Sequence, residues 1–154
     1  MNAVGKVLLR AAFLSAIVWS TPTLAEALTL NASSSGFYVV DGDSVNYGKL
    51  RFRLCGIQAP ERDKPGYDES TAMLKSFLGT ELITAHVVDI DKYSRAVAVL
   101  YKIGKTESVN EQMVFKGGAK HYKRFSKNCT KFIPRKTFFA AEKEAKKKKL
   151  GIWK

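Results

Sequence analysis

FYVVDGDSVNYGKLRFRLCGIQAPE, running from Phe37 to Glu61, is the stretch on which the fold turns. Phe37 to Val40, Asp43 to Tyr47 and Leu50 to Ile57 are short β-prone runs, and Tyr47-Gly48-Lys49 reads as a tight hairpin turn between the second and third. A three-strand meander is expected. Strand alternation within the third run places Phe52 and Leu54 on one face and Arg51 and Arg53 on the other.

Downstream, Gln58 to Asp68 carries two prolines and a glycine and reads as a loop, and Glu69 to Phe77 reads as a helix ending at Gly79. Glu81 to Ile90 and Arg95 to Ile103 are two further strands joined by Asp91-Lys92-Tyr93-Ser94. Ser108 and Glu111 have capping-box spacing, with Gly117-Gly118 as a stop, so a short helix is expected between them. Pro134 to Lys149 is a longer helix with Phe138, Ala141 and Ala145 on one stripe and Glu142/Lys146 and Glu144/Lys148 as i,i+4 pairs. The lysine run 146–149 invites a phosphate-binding reading, but cations at a helix C-terminus also oppose the negative end of its dipole. Leu150, Ile152 and Trp153 form an apolar tail expected to dock on the domain.

Upstream, Lys6 and Arg10 precede the apolar run Ala11 to Trp19, and small residues around Ala25 and Ala27 offer a cleavage site. Residues 1–25 therefore read as a cleaved secretory signal, too short in its apolar run to span a bilayer, leaving residues 26–154 as one domain. An extracytoplasmic product, periplasmic or released and without stable membrane association, is expected. The 154 residues bound the chain to one ordinary domain, and 45% hydrophobic with 11% aromatic residues argue against a disordered or collagenous chain. Lys and Arg number 26 against 14 Asp and Glu, for a net charge of +12. Such a charge favours encounter with a polyanion, nucleic acid foremost, although an anionic membrane surface would be attracted too. No sequence signal points to an oligomer, so a monomer is expected.

Asp41-Gly42-Asp43 lies between two strands, where a glycine permits a sharp backbone and two carboxylates come close together, which suits a hard divalent cation. Taken alone the triplet is also ordinary turn chemistry. Arg53 offers a planar clamp for phosphate oxygens, and Glu61 supplies a carboxylate that can orient or deprotonate a water. Arg95 adds a second cation. Two guanidiniums and a metal are what phosphodiester hydrolysis needs, because its transition state gathers negative charge on the equatorial oxygens.

These segments resemble the staphylococcal nuclease family across nearly the whole chain after the signal. The matching stretches are Val40 to Val45, Phe52-Arg53-Leu54 continuing to Ala59-Pro60-Glu61, Asp91 to Arg95, Val109-Asn110-Glu111 with Gly117, and Glu142 through Trp153. The resemblance implies an α+β, mainly β fold: a five-stranded OB-type barrel with three helices. It implies an exported, calcium-dependent enzyme that cuts DNA and RNA, preferably single-stranded, to 3′-phosphate ends. Arg53 and Arg95 would contact the scissile phosphate, Glu61 would act on the water, and Asp43 would bind the metal. Lys92 and Tyr93, and more loosely Tyr122 and Lys123, would form the base pocket.

Where the family pattern has a second metal-binding aspartate, this chain has Gln58, followed by Ala59, whose backbone carbonyl would be a ligand. One negative charge is lost from the site; weaker calcium binding is expected, with Asp41 able to compensate and magnesium or manganese open as substitutes. Ser94 stands where the family has glycine, which makes a left-handed backbone less comfortable there.

Cys55 and Cys129 are the two cysteines, and in an oxidising compartment a disulfide between them is expected, the alternative being that Cys55 is a small buried residue. His86 and His121 define a rival, a metal-free ribonuclease using two imidazoles, which would need both at one phosphate. A second rival is a non-catalytic OB-fold module that binds single strands without cutting them.

Overall fold

Alternation in the strand Leu50–Leu54 (β4) is realised as read: Phe52 and Leu54 are buried, and Arg51 and Arg53 take the other face. Around this strand the computed structural model describes residues 27–31 and 36–154. The expected signal over residues 1–25 lies outside them. The chain runs β1 (Ala27–Asn31), β2 (Phe37–Asp41), β3 (Ser44–Tyr47), β4, β5 (Ile57–Gln58), α1 (Tyr67–Leu78), β6 (Leu82–Ile90), β7 (Ala96–Lys102), α2 (Val109–Phe115), β8 (Lys120–His121) and α3 (Arg135–Lys147). One mixed sheet has the order β1-β6-β7-β4-β3-β2, and β5 pairs with β8 in a second, two-stranded sheet. With three α-helices and two short 3-10 helices among the described residues, the arrangement is consistent with the OB-type α+β fold, its main sheet having six strands rather than the five expected.

Three differences from the sequence reading have physical causes. The run Leu50 to Ile57 is two strands: Gly56 takes φ +76 and breaks the extension where a Cβ would meet the Phe138 ring at 2.8 Å, and Ile57–Gln58 then joins β8 instead. The sequence reading did not assign β1, which hydrogen-bonds antiparallel to β6 and extends the sheet beyond the meander. Helix α3 stops at Lys147 because Lys149 turns left-handed, at φ 51. The capping box forms as read, with Ser108 Oγ accepting from the Glu111 N–H at 3.0 Å, and both i,i+4 pairs of α3 close at 3.1 and 2.9 Å.

The core lies between the sheet and the helices: Phe52, Leu54, Ile57, Leu74, Leu100, Met113 and Phe138 are almost fully buried. One buried polar side chain crosses it. Asn110 of α2 donates to the carbonyls of Cys55 and Ala98 at 2.9 and 3.1 Å and accepts from the Leu100 N–H at 3.0 Å, so α2 fastens the end of β4 to β7. Cys55 and Cys129 form a disulfide across 74 residues, their Cα atoms 6.1 Å apart. Among the described residues no helix is long and apolar enough to cross a membrane.

Neither histidine is placed for paired acid–base work. His86 packs against Phe132 and Tyr101, whereas His121 is stacked on Phe138 and edged by Phe139. His121 Nε2 meets Ser126 Oγ at 2.9 Å while its Nδ1 is buried without a partner, and burial lowers its pKa against the pull of Glu142.

Two outcomes follow from this packing. Replacing Cys55 and Cys129 by serine is expected to lower unfolding free energy by about 2–4 kcal/mol, read from urea denaturation with and without a thiol reductant. Because the folded state holds His121 below its unfolded pKa, its contribution is full above about pH 6.5 and is lost as pH falls. The stability of the wild type relative to His121→Gln should therefore shrink from about pH 7 to pH 5, and an unchanged difference would refute the assignment.

Candidate active site

Two strand pairings assemble the site. β3 and β4 are antiparallel with Ser44 opposite Arg53, which brings Asp43 beside the guanidinium. β4 and β7 are parallel with Arg53 opposite Val97, so alternation carries Arg95, two residues back, to the same face. A cavity of about 710 Å³ opens there, and its lining includes Asp41, Asp43, Arg53, Gln58, Glu61, Lys92, Tyr93, Arg95 and Tyr122. Ala59 and Lys123 do not line it: Ala59 turns its N–H to Asp43, and the Lys123 ammonium lies over the Phe139 ring.

The two arginines are held differently. Arg53 Nη2 contacts Asp43 Oδ2 at 3.0 Å and donates to the Ile57 carbonyl at 2.8 Å, while Nη1 donates to the carbonyls of Leu54 and Asp43 at 2.8 and 3.4 Å. Its fork is spent on the protein. Arg95 hydrogen-bonds only through Nε, which binds Asp91 Oδ2 at 2.7 Å, leaving its terminal nitrogens without hydrogen-bond partners among the described residues.

Asp91, read from the sequence only as part of a turn, is the residue that holds Arg95. Its Oδ1 also accepts the N–H groups of Tyr93 and Arg95, closing a turn in which Ser94 is indeed left-handed, at φ 58. Burial pushes the Asp91 pKa up, but the Arg95 and Tyr93 bonds outweigh it and hold the carboxyl below its ordinary value. The signal was an aspartate two and four residues before the N–H groups it accepts. Phe125 and Asn128 also reach the cavity from the segment beside Cys129, and nothing in their local sequence announces that.

Asp43 is 7% exposed and bonded at both oxygens, Oδ2 accepting the Ala59 N–H at 2.7 Å and Oδ1 the Ser44 hydroxyl at 3.0 Å. Burial raises its pKa to about 6, Arg53 opposes that, and the neighbouring Asp41 charge adds to it. Gly42 is needed for space rather than for a left-handed backbone: a Cβ would lie 1.7 Å from Ser70 Oγ and 2.8 Å from Ala59 Cβ. Asp41, Asp43 and Gln58 line this one cavity with oxygen-bearing side chains, the donor type a hard divalent cation takes, and a cation there would relieve the repulsion between the two carboxylates. Among the described residues no group of three or more His, Cys, Asp or Glu side chains could hold a metal ion.

Similarity to known proteins agrees with this geometry. The family model described as staphylococcal nuclease homologue matches residues 51–154. The chain is 31% identical over 131 residues to a probable staphylococcal-like nuclease of Oryza sativa subsp. japonica, covering 84% of this chain and 32% of that protein. It is 32% identical over 133 residues to a staphylococcal-like nuclease of Arabidopsis thaliana, covering 85% and 38%. An uncharacterized endonuclease of Escherichia coli O157:H7 is 29% identical over 119 residues, covering 75% of this chain and 72% of that one. The chain spans about a third of the length of the plant relatives.

Removing the Arg53 guanidinium strands a buried carboxylate. Arg53→Ala is expected to cost about 3–5 kcal/mol in urea denaturation with chelator present, and Asp43→Ala in the same chain should recover part of that loss.

Proposed function

The chain belongs to the staphylococcal nuclease homologue family, and from that premise we propose that it hydrolyses phosphodiester bonds of DNA and RNA. The observation that carries the reading is the convergence of Arg53, Glu61 and Arg95 on one cavity beside Asp41 and Asp43. Calcium is the proposed cation, with magnesium and manganese as substitutes, held by Asp43, Asp41, Gln58 and the Ala59 carbonyl. When bound, it supplies Lewis-acid stabilisation of the charge that develops on the phosphoryl oxygens.

The protein's own groups do the rest. Glu61 makes no side-chain hydrogen bond or ion pair among the described residues and lines the cavity, so it is free to take a proton from the attacking water. The Arg95 terminal nitrogens offer a fork to the equatorial oxygens, oriented through Nε by Asp91. Arg53 adds its charge from the same wall while fixing Asp43. Water oxygen bonds to phosphorus, the bond to the 5′-oxygen breaks, that oxygen takes a proton from solvent, and a 3′-phosphate remains. Tyr93, 58% exposed with Lys92 and Arg95 over its ring at 4.9 and 5.4 Å, offers a stacking surface for an unpaired base, as Tyr122 does with Phe125. That supports a preference for single strands. The protein acts as an exported monomer, after removal of residues 1–25.

The test uses the full chain expressed with its N-terminal segment, recovered outside the cytoplasm and incubated with single-stranded DNA and RNA. Cleavage with calcium, its loss with chelator, phosphatase-sensitive 3′ ends and a fall of about 10²–10⁴-fold in Glu61→Gln are expected. Binding without cleavage under every divalent cation tried would replace the enzyme by a non-catalytic module.

A further inference from the structure

A second cavity, of about 350 Å³, adjoins the first and shares with it only Gln58 and Glu61. The stacking residues Tyr93, Tyr122 and Phe125 line only the larger cavity, and Lys64 and Lys120 line only the smaller. Glu61 therefore stands at the junction between an aromatic compartment, which also holds Arg53, Lys92 and Arg95, and a smaller one whose cations are Lys64 and Lys120.

Both lysines are placed by backbone structure. Lys120 is the register partner of Gln58 in the β5–β8 pair, so it sits directly across from a residue that lines both cavities. Its ammonium lies 5.4 Å from the centre of the Trp153 ring, which limits its sweep. Lys64 is tied to the Glu61 carbonyl by its N–H at 3.1 Å, and its own carbonyl accepts the first N–H of α1, from Tyr67, at 3.1 Å. The loop thus fixes Lys64 relative to the carboxylate beside it.

What sets these two lysines apart is their place, on the wall of one cavity that also holds Glu61. Like most lysines among the described residues, Lys64 and Lys120 have no carboxylate partner, so their charge in this cavity is not neutralised by a neighbouring acid. Pro60, Pro65 and Ile152 give the same cavity an apolar wall suited to a sugar face. Two unneutralised ammonium groups over an apolar wall match a phosphate attached to a ribose.

We infer that the smaller cavity is a subsite for the next phosphate of the bound strand, held by Lys64 and Lys120 on the side of the scissile bond away from the aromatic compartment. This rests on the nuclease reading, since a phosphodiester at Glu61 is what places a neighbouring phosphate there. The subsite makes strand length a determinant of turnover: a substrate that ends at the scissile phosphate leaves it empty.

The probes are the dinucleoside monophosphate of thymidine and the same molecule carrying one added phosphate at its 5′ or at its 3′ end. One of the two extensions should raise kcat/KM by about tenfold, the worth of one charge-assisted contact, and that gain should largely vanish in the double variant Lys64→Gln, Lys120→Gln. No gain from either extension, or a gain untouched by the double variant, overturns the subsite. Binding gives a readout independent of chemistry. In a Glu61→Gln background, the salt dependence of oligothymidylate affinity should flatten by about 0.7 in log–log slope for each lysine replaced. If no substrate is cut under any divalent cation, the nuclease reading has failed, and an unchanged slope then rejects the subsite separately.

Discussion

The buried ion pair of Asp43 and Arg53 is the constraint around which the site is built. Its carboxylate accepts the Ala59 N–H and the Ser44 hydroxyl, and its guanidinium caps the Leu54 and Ile57 carbonyls. One contact thereby joins the β2–β3 turn, the end of β4 and the start of the loop that leads to Glu61. Two charges taken out of water hold such a geometry only when every remaining donor and acceptor is bonded, and here nearly every one is. The price is that Arg53 has little of its fork left for a ligand.

That cost explains the division of roles between the two arginines. Arg53 is 16% exposed at its side chain and turned to the protein; Arg95 is 28% exposed and anchored by Nε alone. A guanidinium held at one nitrogen keeps its orientation while presenting two others, which is what recognition of a planar pair of oxygens requires. Asp91 sets that orientation, and the left-handed turn at Ser94 is held in place by the bonds Asp91 makes on either side of it. The strain of a Cβ in that conformation is offset locally rather than relieved.

The cavity walls come from parts of the chain that are far apart in sequence. Asn110 locks β4 to β7, and the disulfide fastens Cys55, two residues past Arg53, to the segment that delivers Phe125 and Asn128. Both links hold the floor of the cavity on which Arg53 and Val97 face each other. Rigidity at that floor matters because the proposed chemistry depends on fixed charges aimed at one phosphorus centre.

Much of this was legible in sequence because it is local. The alternation of Phe52 and Leu54 against Arg53 follows from the two-residue period of a strand, and the Ser108 cap and the α3 ion pairs follow from fixed helical spacings. Resemblance of several motifs in one order then nominated Asp43, Arg53, Glu61 and Arg95, which line one cavity. Tertiary structure decided what spacing cannot carry. β1 finds its place only by pairing with β6, β4 breaks at Gly56 because Phe138 of a distant helix occupies the space, and Gly42 is required by Ser70 of α1. Which arginine is committed inward and which presents its terminal nitrogens depends on how the chain folds back on itself, although the partners themselves, Asp43, Leu54 and Ile57 for Arg53 and Asp91 for Arg95, lie within ten residues. The sequence determined which chemical groups the protein owns and the period on which they alternate; only the three-dimensional packing decided which of them face one another, because burial and hydrogen-bond partnership are properties of the whole chain.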